Sequence, residues 1–117
     1  MNLTAWINPK CGTCQKVLAA LRDKGHKPTV IEYLKTPPSV AEIDAVCKKI
    51  GVEPQAIARQ KEPNYAAIAA RCKTRQDWLE ALHANPVLIE RPILFTPDRA
   101  VIARPPEKLD DFLRSNT

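Results

Sequence analysis

The sequence predicts an α/β protein: a mixed β-sheet into which an all-helical block is inserted. Three observations predict it. Residues 2–34 read as strand, helix, strand, a crossover of the length that leaves its two strands parallel. Residues 39–84 carry only helical periodicity. Residues 92–103 return to two short apolar runs around a turn signal, the pattern of an antiparallel hairpin. No repeat, low-complexity tract or long linker divides the 117 residues, which predicts a single domain, 1–117. Within it, 1–35 and 86–117 form the sheet-bearing core and 39–84 the helical insertion.

The first strand is placed at 2–7, where Leu3, Ala5, Trp6 and Ile7 are apolar, and the first helix at 12–24. Leu18 and Leu21 follow helical spacing there, and Gly25 is a C-terminal stop. The β-branched and aromatic run 29–34 is the second strand. Thr36-Pro37-Pro38 breaks the chain, and Ser39 with Glu42 three residues on is a capping box. The helix it opens puts Ile43, Val46, Cys47 and Ile50 on one face and ends at Gly51. A second short helix is expected to start at Pro54 and to carry Arg59. A third starts near Pro63 with Tyr65, Ile68 and Cys72 as its apolar stripe. Thr74 with Asp77 opens a fourth, with Trp78, Leu79 and Leu82 facing inward, ending before Pro86. Thr96-Pro97-Asp98-Arg99 is a type I turn signal between strands 92–95 and 100–103. Pro105-Pro106-Glu107 starts a last helix whose Leu109, Phe112 and Leu113 would cover the sheet.

Composition narrows the function classes. Apolar and charged fractions of 44% and 26% are those of a globular protein, and no apolar run approaches the ~20 residues of a membrane span. The N-terminus lacks the shape of a signal peptide, so a cytoplasmic location is expected and no membrane association. Eighteen basic against thirteen acidic residues give a net charge of +5, mildly attractive to anions. The basic residues are scattered and aromatic residues are few, so nucleic acid is not an expected partner.

The chemistry concentrates at Asn8-Pro9-Lys10-Cys11-Gly12-Thr13-Cys14-Gln15. A strand feeding a loop that opens into a helix sets the loop at the positive end of the helix dipole, which lowers a thiol pKa and holds an anion. Cys11 is therefore the candidate nucleophile. Cys14, one helical turn on, is within bridging range, so the pair could also cycle between dithiol and disulfide with Cys14 resolving. A zinc site would need Cys47 and Cys72, each alone on an apolar helix face and better read as core, so no metal is expected. His26 and His83 have no companion at ligand or triad spacing and read as surface residues, and Lys10 reads as solvated.

Hairpin register supplies a second constellation. If Thr96 to Arg99 make the turn, Phe95 faces Ala100, and counting back sets Arg91 opposite Arg104. Opposed guanidinium groups repel unless an anion lies between them, and Arg suits a tetrahedral oxyanion gripped at two points. The alternative is that Arg91 pairs with Glu90, Arg104 pairs with Glu107, and Pro92 spoils the register. Spacing leaves both open.

Five stretches together resemble the glutaredoxin-coupled arsenate reductases. They are Asn8 to Cys14, Tyr33 to Ser39, Arg59 with Lys61-Glu62-Pro63-Asn64-Tyr65, Asn85 to Ile93, and Ala103 to Lys108, in order over nearly the whole chain. The resemblance implies a thioredoxin-like fold, a cis peptide bond before Pro92, Cys11 as attacking cysteine, and Arg59, Arg91 and Arg104 as oxyanion-binding arginines. It implies arsenate or a similar oxyanion as substrate, no bound cofactor, glutathione as co-substrate and glutaredoxin as partner. Two departures stand out: Ile7 occupies a position where these enzymes often carry His, and Cys14-Gln15 replaces the common Ser-Arg. The second cysteine also suits the Spx-like relatives, redox-responsive regulators that bind RNA polymerase, and a general thiol–disulfide oxidoreductase. Arg59 and Arg104-Pro105-Pro106-Glu107 favour the reductases.

Overall fold

In the computed structural model, which describes residues 2–114, four strands form one mixed sheet in the order β2-β1-β3-β4. The strands are β1 (Thr4–Ile7), β2 (Thr29–Glu32), β3 (Ile93–Phe95) and β4 (Ala100–Ile102). β1 pairs with β2 in parallel and with β3 antiparallel, and β3 pairs antiparallel with β4. The crossover from β1 to β2 is helix α1 (Gly12–Asp23), stopped at Gly25, whose φ of 83° is open to glycine without penalty. β2 is shorter than the 29–34 run suggests. At Tyr33 the chain enters a turn in which the Lys35 and Thr36 amides both donate to the Glu32 carbonyl. No helix among the described residues is long and apolar enough to cross a membrane.

The inserted block contains α2 (Val40–Ile50), α3 (Tyr65–Arg71) and α4 (Arg75–Ala84), with 3₁₀ turns at Pro54–Ile57 and Pro86–Leu88. Both capping boxes form: the Glu42 amide donates to Ser39 Oγ at 3.1 Å, and the Asp77 amide to Thr74 Oγ1 at 3.1 Å. The expected helix carrying Arg59 needs correction. The 3₁₀ turn stops at Ile57, and Ala58 is extended at φ −90°, ψ 136°. Ala58 bridges to Ile89, with the Arg59 amide donating to the Leu88 carbonyl and the Glu90 amide to the Ile57 carbonyl. Non-local pairing with 88–90 has taken the backbone groups that helix continuation would use. Its consequence is that Arg59 stands beside Glu90 rather than on a helix face.

Strand alternation sends side chains to two cores. Leu3, Ala5, Ile7 and Leu94 face Cys14, Val17, Leu18 and Leu21 of α1, together with Leu109 and Phe112 of α5 (Lys108–Arg114). Trp6 and Ile93 face the opposite way, onto Ile43, Val46 and Cys47 of α2 and onto Trp78, Leu79 and Leu82 of α4. Trp6 meets Phe95 edge to face, with centroids 5.2 Å apart. The hairpin turn closes as expected, the Thr96 amide donating to the Arg99 carbonyl at 2.8 Å. Arg99 reaches on to the Phe112 carbonyl at 2.8 Å and so ties α5 to the hairpin.

Leu94, fully buried at the centre of the sheet, should lose about 2–5 kcal/mol of stability on change to Ala, through lost burial and the cavity left behind. Ser39→Ala, which removes one exposed cap, should cost about 1 kcal/mol. Urea unfolding followed by circular dichroism separates the two.

Candidate active site

β1 ends at Ile7 and the chain turns through Asn8-Pro9-Lys10 into α1. The Lys10 amide donates to Asn8 Oδ1 at 3.0 Å and the Cys11 amide to the Asn8 carbonyl at 2.9 Å. Gln15 Nε2 reaches back to the Pro9 carbonyl at 3.0 Å and closes the loop from the helix side. Cys11 is the N-cap of α1, and no acidic residue stands in the first turn to neutralise the helix end. It is 8% exposed and Cys14 is 0% exposed, so only the first sulfur can meet a reactant from outside.

The hairpin brings its arginines to that sulfur. β3 and β4 pair as Ile93↔Ile102 and Phe95↔Ala100, and the Ala103 amide donates to the Pro92 carbonyl at 3.0 Å, carrying the ladder to Arg91 and Arg104. Arg104 Nη1 lies 3.8 Å from Cys11 Sγ and 3.4 Å from the Arg91 carbonyl oxygen. The peptide bonds Arg91–Pro92 and Arg104–Pro105 are both cis; only the first was anticipated. Pairing of Arg91 with Glu90 and of Arg104 with Glu107 is not found among the described residues: Glu90 faces Arg59, 3.8 Å from its Nη1, and Arg104 Nη1 turns to Cys11 and the Arg91 carbonyl.

Arg59 is placed differently from the other two. Its Nε lies 3.4 Å from Glu62 Oε1, so Glu62 and Glu90 hold its guanidinium from two sides. It joins the site through a groove that it lines together with Arg104. The buried Nε of Arg59 meets Glu62 as an ion pair without hydrogen-bond geometry, and the buried Nε of Arg91 has no hydrogen-bond partner among the described residues. Buried donors are seldom left so, and here two belong to cations at one site.

These groups decide the state of the sulfur. Burial works to raise the Cys11 pKa. The Cys14 backbone amide, the Arg91 guanidinium, the Cys14 thiol and the Arg104 guanidinium outweigh it and bring the thiol from 9.0 to about 6. Cys14 moves the other way. Burial first, and then the neighbouring Cys11 thiolate, push it up to about 12, against the Asn8 backbone amide. Cys14 therefore stays protonated and serves Cys11 as a donor. Ile7 is buried against α1 and contributes nothing to this balance.

One neighbour escaped the sequence reading. Tyr33 is fully buried, its hydroxyl donates to the Ile89 carbonyl at 3.3 Å, and burial pushes its pKa up to about 12 while Arg91 draws it down. An aromatic residue near the end of the strand-like run 29–34, three residues before Thr36-Pro37-Pro38, was the available signal, but strand propensity accounted for it without a role. Cys47 and Cys72 belong to the helical block's core, away from the Cys11 cluster. His83 is exposed near the end of α4, its ring Nδ1 2.8 Å from the Pro38 carbonyl, and Lys10 is exposed.

The model of the ArsC family matches residues 6–112. The chain belongs to the ArsC family. It is 37% identical over 115 residues to an arsenate reductase of Rhizobium meliloti (strain 1021), covering 97% of this chain and 82% of that one. It is 37% identical over 114 residues to an arsenate reductase of Escherichia coli, covering 96% and 81%. Among solved structures, an arsenate reductase from Vibrio cholerae superimposes with a TM-score of 0.89 at 34% identity, over 95% of this chain and 97% of its own. The mixed four-stranded sheet with its helices is thus the thioredoxin-like fold of that family.

Alkylation of Cys11 by iodoacetamide should rise with pH through a midpoint near 6. Arg91→Ala should move the midpoint upward by about 1 unit, whereas a midpoint unchanged by Arg91→Ala and Arg104→Ala would leave the helix end as sole cause. The sign for folding follows: a depressed thiol pKa stabilises the folded state at high pH, and this contribution is lost as pH falls from 9 to 6.

Proposed function

We propose that this protein reduces arsenate to arsenite, with Cys11 as nucleophile and with Arg59, Arg91 and Arg104 holding the oxyanion. The single observation that carries the reading is the Cys11 sulfur at a helix start with Arg104 Nη1 3.8 Å away and Arg91 alongside. A thiolate and an arsenate repel each other, and positive groups fixed around the sulfur remove that barrier. Cys11 thiolate attacks arsenic, a sulfur–arsenic bond forms, and one arsenate oxygen leaves as water after protonation.

The second half needs a reductant, and glutathione fits. Its thiolate attacks the Cys11 sulfur, a sulfur–sulfur bond forms, and the sulfur–arsenic electron pair stays with arsenic. Arsenic(V) becomes arsenic(III) and arsenite departs. Glutaredoxin then takes the glutathionyl group and returns Cys11 as thiolate. In this cycle Arg91 and Arg104 serve both sulfur and oxyanion, while Arg59 serves the oxyanion alone, consistent with its engagement by Glu62 and Glu90.

A second reading of the reductive half rests on Cys14, whose thiol is directed at Cys11. Attack of Cys14 on the Cys11 sulfur, with the Cys14 proton passing to an arsenic-bound oxygen and the sulfur–arsenic electron pair staying with arsenic, would release arsenite and leave an internal disulfide, with an external dithiol restoring both thiols.

Arsenite formation with glutathione and glutaredoxin tests the proposal. Cys11→Ser should abolish it, and turnover by that variant would place the nucleophile elsewhere. Arg91→Ala and Arg104→Ala should each lower kcat/KM for arsenate by about 10²-fold or more. Arg59→Ala should raise KM for arsenate and leave the Cys11 alkylation midpoint near that of the native protein. Turnover retained in Cys14→Ser with glutathione favours the first route; its loss favours the internal disulfide.

A further inference from the structure

Beyond the Cys11 sulfur, Arg104 forms one wall of a groove of about 400 Å³ that also takes in Arg59, Gln60, Lys61, Glu90 and Lys108. That volume is in the range of ~300–1,000 Å³ that suits an organic ligand, several times what one tetrahedral oxyanion fills. Its charge is uneven: four cations stand around one carboxylate. Arg59 and Glu90 face each other, but Lys61 and Lys108 are exposed and have no carboxylate at ion-pair distance among the described residues. One side chain links the groove to the reacting atom, since the Arg104 guanidinium that borders it lies 3.8 Å from Cys11 Sγ.

From these features we infer that the groove is the binding site for the thiol co-substrate, a small peptide thiol bearing two carboxylates and one ammonium group, with Lys61 and Lys108 receiving the carboxylates. The identity of the ligand rests on the arsenate-reductase reading; the groove and its charges do not. A ligand anchored on the two lysines shares the groove with Arg104, whose guanidinium lies 3.8 Å from the sulfur to be attacked. Glu90 offers the acceptor for the ammonium group, and Gln60 adds a neutral donor and acceptor on the same wall. Anchoring at the outer end leaves Arg91 and the helix start to the oxyanion, so both reactants can be held at once.

The test measures binding without turnover, using S-methylglutathione and its dimethyl ester as unreactive probes in isothermal titration calorimetry at low ionic strength. The native protein should bind the diacid about tenfold more tightly than the diester, as two solvent-exposed charge pairs would give. In Lys61→Gln/Lys108→Gln that preference should shrink to twofold or less, with the circular dichroism melt confirming that the variant folds. Equal affinity of the native protein for both probes, or a preference that survives in the double variant, overturns the inference. So does a double variant whose KM rises for glutaredoxin while its S-methylglutathione affinity stays native, since the lysines would then dock a protein. Should the native protein make no arsenite yet show the expected preference and its loss, the reaction assigned above fails while the groove's ligand class stands.

Discussion

A thiolate kept ionised while nearly buried is the constraint on which the rest of the structure depends. Burial by itself favours the neutral thiol, so every charge or dipole that offsets it must be fixed in place by the fold. The start of α1 supplies one contribution because β1 runs straight into the helix through a tight loop. The hairpin supplies the others. Cys11 and Arg104 are 93 residues apart in sequence and meet because β3 lies next to β1 and carries β4 with it. Packing of Val17, Leu18 and Leu21 beneath the sheet holds the helix end at that height. Core packing and site chemistry are therefore one problem in this chain.

The arginines divide into two kinds. Arg91 and Arg104 act on the sulfur directly and are set by the antiparallel ladder, which continues past β4 through the Ala103–Pro92 hydrogen bond. Arg59 arrives by another route, the isolated Ala58–Ile89 bridge, and is restrained by Glu62 and Glu90. A guanidinium held by two carboxylates is ordered before any anion arrives, and it interacts with an anion less strongly than an unpaired one would. The bridge also sets Glu90, the sequence neighbour of Arg91, beside Arg59, so one short segment, 89–92, joins the helical block to the sheet and lies next to two of the three arginines. Tyr33 braces the same segment from below through the Ile89 carbonyl.

Cys14 makes good much of what Ile7 does not provide. Where an ionisable side chain at position 7 could have acted on the sulfur, this chain offers an apolar residue packed against α1. Its neighbouring thiol, held protonated by burial, donates toward Cys11 in its place, and the same residue gives the backbone amide that favours the thiolate. One residue thus serves through backbone and side chain together, and its proximity to Cys11 is also what makes an internal disulfide chemically accessible.

By itself the sequence determined what local rules govern. The crossover unit, both capping boxes, the hairpin turn and Cys11 at a helix start all follow from short-range spacing. The opposition of Arg91 and Arg104 was one of two readings that counting back from a four-residue turn allowed, and the Ala103–Pro92 hydrogen bond decided for it. Tertiary structure alone decided where groups far apart in sequence would compete. It ended the turn at Ile57 and drew Arg59 into a bridge with 88–90. It gave Glu90 to Arg59 rather than to its neighbour Arg91, and it stopped β2 before Tyr33 so that the hydroxyl could reach Ile89. At Arg59, Glu90 and the Tyr33 hydroxyl a partner remote in sequence took a hydrogen bond or ion pair that the local neighbourhood could have kept. Such choices lie beyond any pattern of adjacent residues.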